Sequence, residues 1–248
     1  MSTSHLTDFS QKKKLVFDIE TIGVDFDALD KISQEYLLKF AEDEEEKAEA
    51  KDRLSFSPLT GEIVAIGLLN PDTNNGKIYL QSEEIPRQSA SSPRSSALLG
   101  EEGIDIETGT EKQILEKFWE DVKHYNYFIS FNGRGFDVPF LLIRSAILGV
   151  KPTKDLMSNR YLSSQKFGAT HIDLFDQLTF YGAVRKKFNL HFWTKAFGIK
   201  SPKEDGITGD DVGRLYKEGR FLEIAKYNLG DLRATKELYD KWHTYLNF

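Results

Sequence analysis

A strand that ends in two acids two residues apart sharply limits where that strand can sit. Leu15-Val16-Phe17 is an apolar run, and it continues directly into Asp18-Ile19-Glu20-Thr21. Successive side chains of a strand alternate between faces, so Asp18 and Glu20 share one face and Ile19 takes the other. Like charges at that spacing repel unless a cation lies between them or water surrounds both. Carboxylates are hard oxygen donors of the kind that magnesium and manganese take. Taken alone, these residues fit a strand end with two solvated acids equally well.

Two further patches bear on the choice. Tyr127-Phe128-Ile129-Ser130-Phe131 reads as a strand, and Asn132-Gly133-Arg134-Gly135-Phe136-Asp137 as a tight turn leading into a helix from 137 to about 148. Pro139 suits the first turn of that helix, where a missing N–H costs nothing. No Gly-Lys-Ser/Thr follows the glycines, so this is not a phosphate loop. An isolated Asp137 would be read as a helix N-cap. Nearer the C-terminus, Tyr227-Asn228-Leu229-Gly230-Asp231 lies in a helical pattern. Tyr227 and Asp231, four residues apart, share a face. The alternative is a core tyrosine beside a solvated aspartate.

In this order and at these distances, the three patches resemble the exonuclease motifs of the DEDD superfamily of 3′→5′ exonucleases. A tyrosine four residues before the last aspartate matches the tyrosine-type branch; the histidine-type branch would carry His where Lys226 stands. The wording Phe-Asp-Ile-Glu-Thr and Phe-Asn-Gly-x-x-Phe-Asp is similar to the proofreading exonuclease domains of family B DNA polymerases, and to stand-alone predicted exonucleases related to them. The resemblance runs from about residue 15 to 239, and a long acidic insertion after the first motif departs from it.

The resemblance implies an α/β, ribonuclease H-like fold: a five-stranded mixed sheet flanked by helices, with the Asp18 strand central and the last helix laying Tyr227 and Asp231 across it. It implies two divalent cations, magnesium or manganese. Asp18 would bridge both, Glu20 and Asp231 would complete one site, Asp137 would hold the second ion, and Tyr227 would orient the attacking water. The implied reaction removes nucleoside 5′-monophosphates from a 3′ end, single-stranded DNA being preferred. Trimming of RNA is the alternative, and a non-catalytic nucleic-acid-binding module on the same fold a further one. Thr21, Asn132 and Phe136 are the expected contacts to the substrate end. Asp173 and Asp176 lie outside the motifs, and Asp173 is read as structural.

Composition narrows the rest. The chain of 248 residues has no cysteine, which excludes disulfides, zinc–thiolate sites and thiol nucleophiles and fits a reducing cytoplasm. Its five histidines have no metal-ligand spacing, and no apolar stretch reaches membrane-spanning length. A disordered terminus over 1–11 and one domain over 12–248 are expected, with insertions at about 27–56 and 86–109. A net charge of −6 argues against a coat on long nucleic acid. Residues 144–200, however, hold ten bases against three acids, and carry Phe167, Tyr181, Phe188, Phe192 and Trp193. Most of these rings are expected in the core, while Arg185-Lys186-Lys187 is the part expected to meet phosphate.

The remaining pattern predicts one helix from 27 to about 54, with Leu29, Ile32, Tyr36, Leu37 and Phe40 on one face and a solvated acidic end at 42–49. It predicts a hairpin from 62–69 and 76–81, a loop over 86–97, a helix over 111–124 that buries Ile114, Leu115, Phe118 and Trp119, a strand at 170–174, and a final helix over 220–245.

Overall fold

The computed structural model describes residues 13–82, 102–201 and 206–248. The strand that opens the chain, β1 (Lys14–Gly23), lies inside a six-stranded mixed sheet. On one side of it come β2 (Gly61–Leu69) and β3 (Gly76–Gln81), each antiparallel to the strand before, and then β4 (Ile104–Gly109), parallel to β3. On the other side lie β5 (Tyr127–Ser130) and β6 (Thr170–Asp173), both parallel. The order is β4-β3-β2-β1-β5-β6.

Helices cover both faces. After β1 come α1 (Lys31–Leu37) and α2 (Glu44–Asp52); α3 (Glu111–Val122) precedes β5 and α4 (Asp137–Ile147) follows it. Beyond β6 lie α5 (Leu174–Leu178), α6 (Leu190–Ala196), α7 (Val212–Lys217) and the long α8 (Phe221–Tyr245). Alternation along β1 sorts its side chains. Leu15, Phe17 and Ile19 enter one core with Ile114, Phe118 and Trp119 of α3 and Leu141 of α4. Val16 enters the other core, with Leu229, Leu232 and Leu238 of α8. Burying each such large side chain is worth about 1.5–3 kcal/mol. A one-residue slip of β1 would forfeit this on both faces and drive Asp18 and Glu20 into the α3 side. The register is therefore set by packing, and the acids face α8 as a consequence.

Two sequence expectations need correction. Among the described residues the sheet has six strands, not five, because Ile104–Gly109 forms β4 within the stretch read as an insertion at 86–109. Only Ile104 and Ile106 offer apolar alternation there, and both are buried. The signal is short because β4 is an edge strand with half its side chains polar. The predicted helix over 27–54 is broken. Asp30 caps α1 by accepting from the Ile32 and Ser33 amides, and Asp43 caps α2 by accepting from the Glu46 amide. Each aspartate satisfies the first amides of a new helix, so the chain restarts where one continuous helix was expected. Ile32, Tyr36 and Phe40, the expected apolar face, are exposed. The expected disordered terminus (1–11) and the loop at 86–97 lie outside the described residues. No helix among the described residues is long and apolar enough to cross a membrane.

Candidate active site

α8 lies across β1 and β2. It brings Asp231 to the two acids of β1, so that one oxygen each of Asp18, Glu20 and Asp231 lie within 4.8 Å of one another. Asp231 is more than two hundred positions from the other two in the chain, and only the crossing of helix over sheet makes it their neighbour. The β1–β2 register shifts directly after Glu20: Glu20 pairs with Ala65 and Thr21 with Ile63, so the extra residue, Val64, lies on β2. The Thr21 hydroxyl donates to the Ser55 carbonyl at 2.7 Å, tying the end of β1 to the turn after α2.

Asp137 reaches the same region from the turn after β5. It is the first residue of α4, not its N-cap, and its Oδ1 accepts from the Ile19 amide at 3.1 Å. The turn is tightly fixed. Asn132 adopts φ +61°, a left-handed conformation that asparagine tolerates. A Cβ on Gly133 would stand 2.2 Å from Ser130 Oγ, so only glycine fits there. Asp173 accepts from the amides of Asn132, Arg134 and Phe175, each at 2.9 Å. Its carboxylate thus pins the turn that presents Asp137, which accounts for the structural part it was expected to take. Asp176 is bound by Arg160. Phe136 packs between Phe140 and the exposed Phe56, and the Asn132 side chain is exposed.

Crowding and burial govern the electrostatics. The carboxyl of Asp18 is held well above the usual range, first by burial and then by Asp137, Asp231 and Glu20. Burial and Asp231 do the same to Glu20. Asp137 is pushed up to about 7, mainly by burial, against the amides that it accepts from. No lysine or arginine offsets Asp18, Glu20 or Asp137 among the described residues. The Tyr227 hydroxyl is driven far above its ordinary value by burial and by Asp231, Glu20 and Asp18. In the metal-free site it therefore stays protonated and can donate a hydrogen bond.

One residue at this cluster was not singled out from the sequence. Asn228 is fully buried, and its Nδ2 donates to Asp18 Oδ2 at 2.9 Å and to Glu20 Oε1 at 3.5 Å. The available signal was an asparagine inside a helix, where it is a poor helix former, between two site candidates.

The basic stretch differs from expectation in part. Arg144 is buried and paired with Glu111, whose carboxylate also accepts the Ile63 amide, so it faces no phosphate. Arg185, Lys186 and Lys187 are exposed between α5 and α6, with the Lys186 ammonium 4.9 Å from the Phe188 ring centroid. The five rings expected mostly in the core are not buried: Phe167 and Phe192 are exposed, and Tyr181, Phe188 and Trp193 are half-buried.

Comparison with known proteins identifies relatives of this chain. The chain is 31% identical over 147 residues to a DNA polymerase of Desulfurococcus sp. (strain Tok), and 31% identical over 153 residues to one of Thermococcus gorgonarius. These alignments cover 52% and 54% of this chain but only 18% of each polymerase, so the chain spans less than a fifth of these relatives. The family B DNA polymerase of the archaeon Pyrobaculum calidifontis superposes with a TM-score of 0.57 at 19% identity, over 94% of this chain and 25% of that one. That likeness shows the fold, which is ribonuclease H-like. A family model matches residues 94–246, a span that holds Asp137, Tyr227 and Asp231 and begins after Asp18 and Glu20. The chain belongs to the family described as predicted 3′-5′ exonucleases related to the exonuclease domain of PolB.

Proposed function

We propose that this chain is a metal-dependent 3′→5′ exonuclease that removes nucleoside 5′-monophosphates from single-stranded DNA ends in the cytoplasm. The observation that carries the reading is the gathering of one oxygen each of Asp18, Glu20 and Asp231 within 4.8 Å, with Asp137 beside them and, among the described residues, no basic partner on Asp18, Glu20 or Asp137. Such a cluster is costly in a folded protein unless a cation compensates it. The donors are all carboxylate oxygens, which fits magnesium or manganese. Asp18, Glu20 and Asp231 would hold one cation, and Asp18 with Asp137 a second. Bound at such a site, a pair of divalent ions supplies Lewis acidity that activates water and stabilises the leaving oxygen of a phosphodiester.

The chain's own groups have distinct tasks in this reading. Tyr227, held protonated, orients the attacking water by hydrogen bonding. The Asp173-pinned turn keeps Asp137 in place and presents the Asn132 side chain and the Phe136 ring to the 3′-terminal nucleotide. The Thr21 hydroxyl is committed to Ser55, so Thr21 contributes through its backbone and methyl group. Arg185, Lys186 and Lys187 bind the incoming strand through its phosphates.

A time course on 3′- and 5′-labelled single-stranded DNA and RNA tests the proposal, in magnesium, in manganese and in EDTA. The expected result is stepwise shortening of 5′-labelled DNA with early release of a 3′ label as the mononucleotide, abolished by EDTA. Faster shortening of RNA than of DNA would assign the chain to RNA ends. Cleavage that persists in excess EDTA, or that starts at the 5′ end, would overturn the mechanism.

A further inference from the structure

Asn228 sits at the junction of helix and sheet with half of its amide unaccounted for. Its side chain is fully buried, and its Oδ1 has no hydrogen-bond partner among the described residues. The opposite orientation of the amide would set that oxygen against the oxygens of Asp18 and Glu20, acceptor against acceptor. The two carboxylates therefore fix the donor side toward themselves, at the cost of an unsatisfied carbonyl on the other side. An unpaired buried acceptor of this kind is selected against unless the group does something else.

Gly67 provides the space. It pairs with Asp18 across the β1–β2 ladder. A Cβ at Gly67 would lie 2.0 Å from Asn228 Oδ1 and 2.6 Å from Leu232 Cδ1. Only a glycine opposite Asp18 lets α8 come close enough for the amide to reach both carboxylates, and its Cα–H is left facing the unpaired oxygen as a weak donor.

The charge of the clamping group matters as well. A lysine at this position would neutralise the acids and take the place of a cation. A neutral amide bonds one oxygen of each carboxylate, leaves the other oxygen of each available, and adds no positive charge. We propose that Asn228 is a positioning residue that fixes Asp18 and Glu20 relative to one another for cation binding, and that Gly67 is the slot that admits it. The inference rests on the metal-dependent reading above.

The test is manganese binding by the full chain, measured by isothermal titration calorimetry on wild type, Asn228→Leu, Asn228→Ala and Leu238→Ala, with folding checked by thermal melting in EDTA. Leucine matches the branching of asparagine and removes the unpaired oxygen, so it keeps the packing and loses the donor. Leu238→Ala opens a cavity on the same helix away from the carboxylates. The expected result is a manganese dissociation constant about tenfold or more weaker in both Asn228 variants, in line with losses seen when groups that orient metal ligands are removed, and unchanged within threefold in Leu238→Ala. Affinity within threefold of wild type in either folded Asn228 variant overturns the inference. Should neither variant fold, the assigned side-chain NH2 signals of Asn228 in wild-type protein are followed by NMR during a magnesium titration. Shifts that saturate with the binding isotherm support the clamp, and signals that stay put overturn it. A wild-type chain that binds no manganese at all would instead sink the metal-dependent reading itself.

Discussion

The chain concentrates negative charge twice, in opposite ways. Along α2 and the residues before it, acids follow one another in sequence: Glu42, Asp43, Glu44, Glu45, Glu46 and Glu49. They lie in water or at the surface, and several are already satisfied: Asp43 caps the helix, Glu44 pairs with Lys47, and Glu49 pairs with Arg53. At the crossing of β1 and α8, the acids are few and scattered through the sequence, yet they meet in a half-buried to buried cluster where no base among the described residues compensates Asp18, Glu20 or Asp137. The first cluster is conspicuous in the sequence and electrostatically quiet. The second is inconspicuous and strongly perturbed. What separates them is water: exposed charges are screened and cheap to hold together, while buried like charges are not.

The largest expected difference between the two is in turnover. Asp18→Ala should lower cleavage by several orders of magnitude, because it removes a ligand to the charge that stabilises the transition state. Changing Glu44, Glu45 and Glu46 together to glutamine should leave turnover within about twofold, since surface charges in water contribute little. Single-turnover rates on a labelled oligonucleotide, with circular dichroism to confirm folding, make the comparison. Equal losses in the two variants would erase the distinction drawn here.

Stability against pH is the next contrast. Asp137 titrates at about 7 in the folded chain, against an ordinary value of 3.8. Between those values the folded state holds a proton that the unfolded state has released. The contribution of Asp137 to metal-free stability should therefore be fully present at the acidic end of that window and fall as the pH rises to about 7, by at most about 4 kcal/mol for a shift of this size, and Asp18 and Glu20, also raised, add to the fall in the same direction. Asp137→Asn should reduce the fall, leaving the part due to Asp18 and Glu20, and saturating magnesium should abolish it. The α2 triple glutamine variant should keep the wild-type slope. Melting temperatures in EDTA from pH 4 to 8 test this, and a wild-type curve that rises over the window would contradict the burial of the cluster.

Tyr227 sharpens the comparison within the site. Tyr227→Phe keeps the ring packed on the core but loses the hydrogen bond to Asp231, worth about 1–3 kcal/mol. Turnover should drop by roughly ten- to a hundredfold, well short of the loss in Asp231→Ala. Matching losses in the two variants would mean that the hydroxyl does more than orient water.

How far the sequence could be read follows the same division. Alternation along β1 set its register, and the spacing of Tyr227 and Asp231 on one helix set a shared face, because both are local periodicities with a buried side to enforce them. The helix expected over 27–54 failed for the converse reason. Outside the core no packing penalty enforced its continuity, so two local aspartate caps decided the outcome. β4 was overlooked because an edge strand with two buried isoleucines leaves almost no signal. The part of Asn228 left only the weak signal of a poor helix former inside a helix. It depends on Gly67 standing opposite Asp18 on another strand and on α8 lying over both, a relation between three distant segments.

The smallest expected effect concerns substrate binding, and it asks whether the two acidic regions differ toward nucleic acid as they do toward cations. Neutralising Arg185, Lys186 and Lys187 together should weaken binding to single strands and reduce the slope of log affinity against log salt by roughly 2, since three phosphate contacts on a single strand release counterions at about 0.7 each. Turnover at saturating substrate should change little, because these exposed residues form no ion pair with the site acids among the described residues. Deleting 42–49 should leave affinity the same or slightly higher, as it removes acids that repel the strand only through screened distance. The measurement is the dissociation constant of a labelled oligonucleotide across a salt series in calcium, which blocks cleavage. An unchanged slope in the triple variant would move the strand's path away from the loop between α5 and α6. A marked loss of affinity on deleting 42–49 would show that α2, quiet as its charges are, lies on that path.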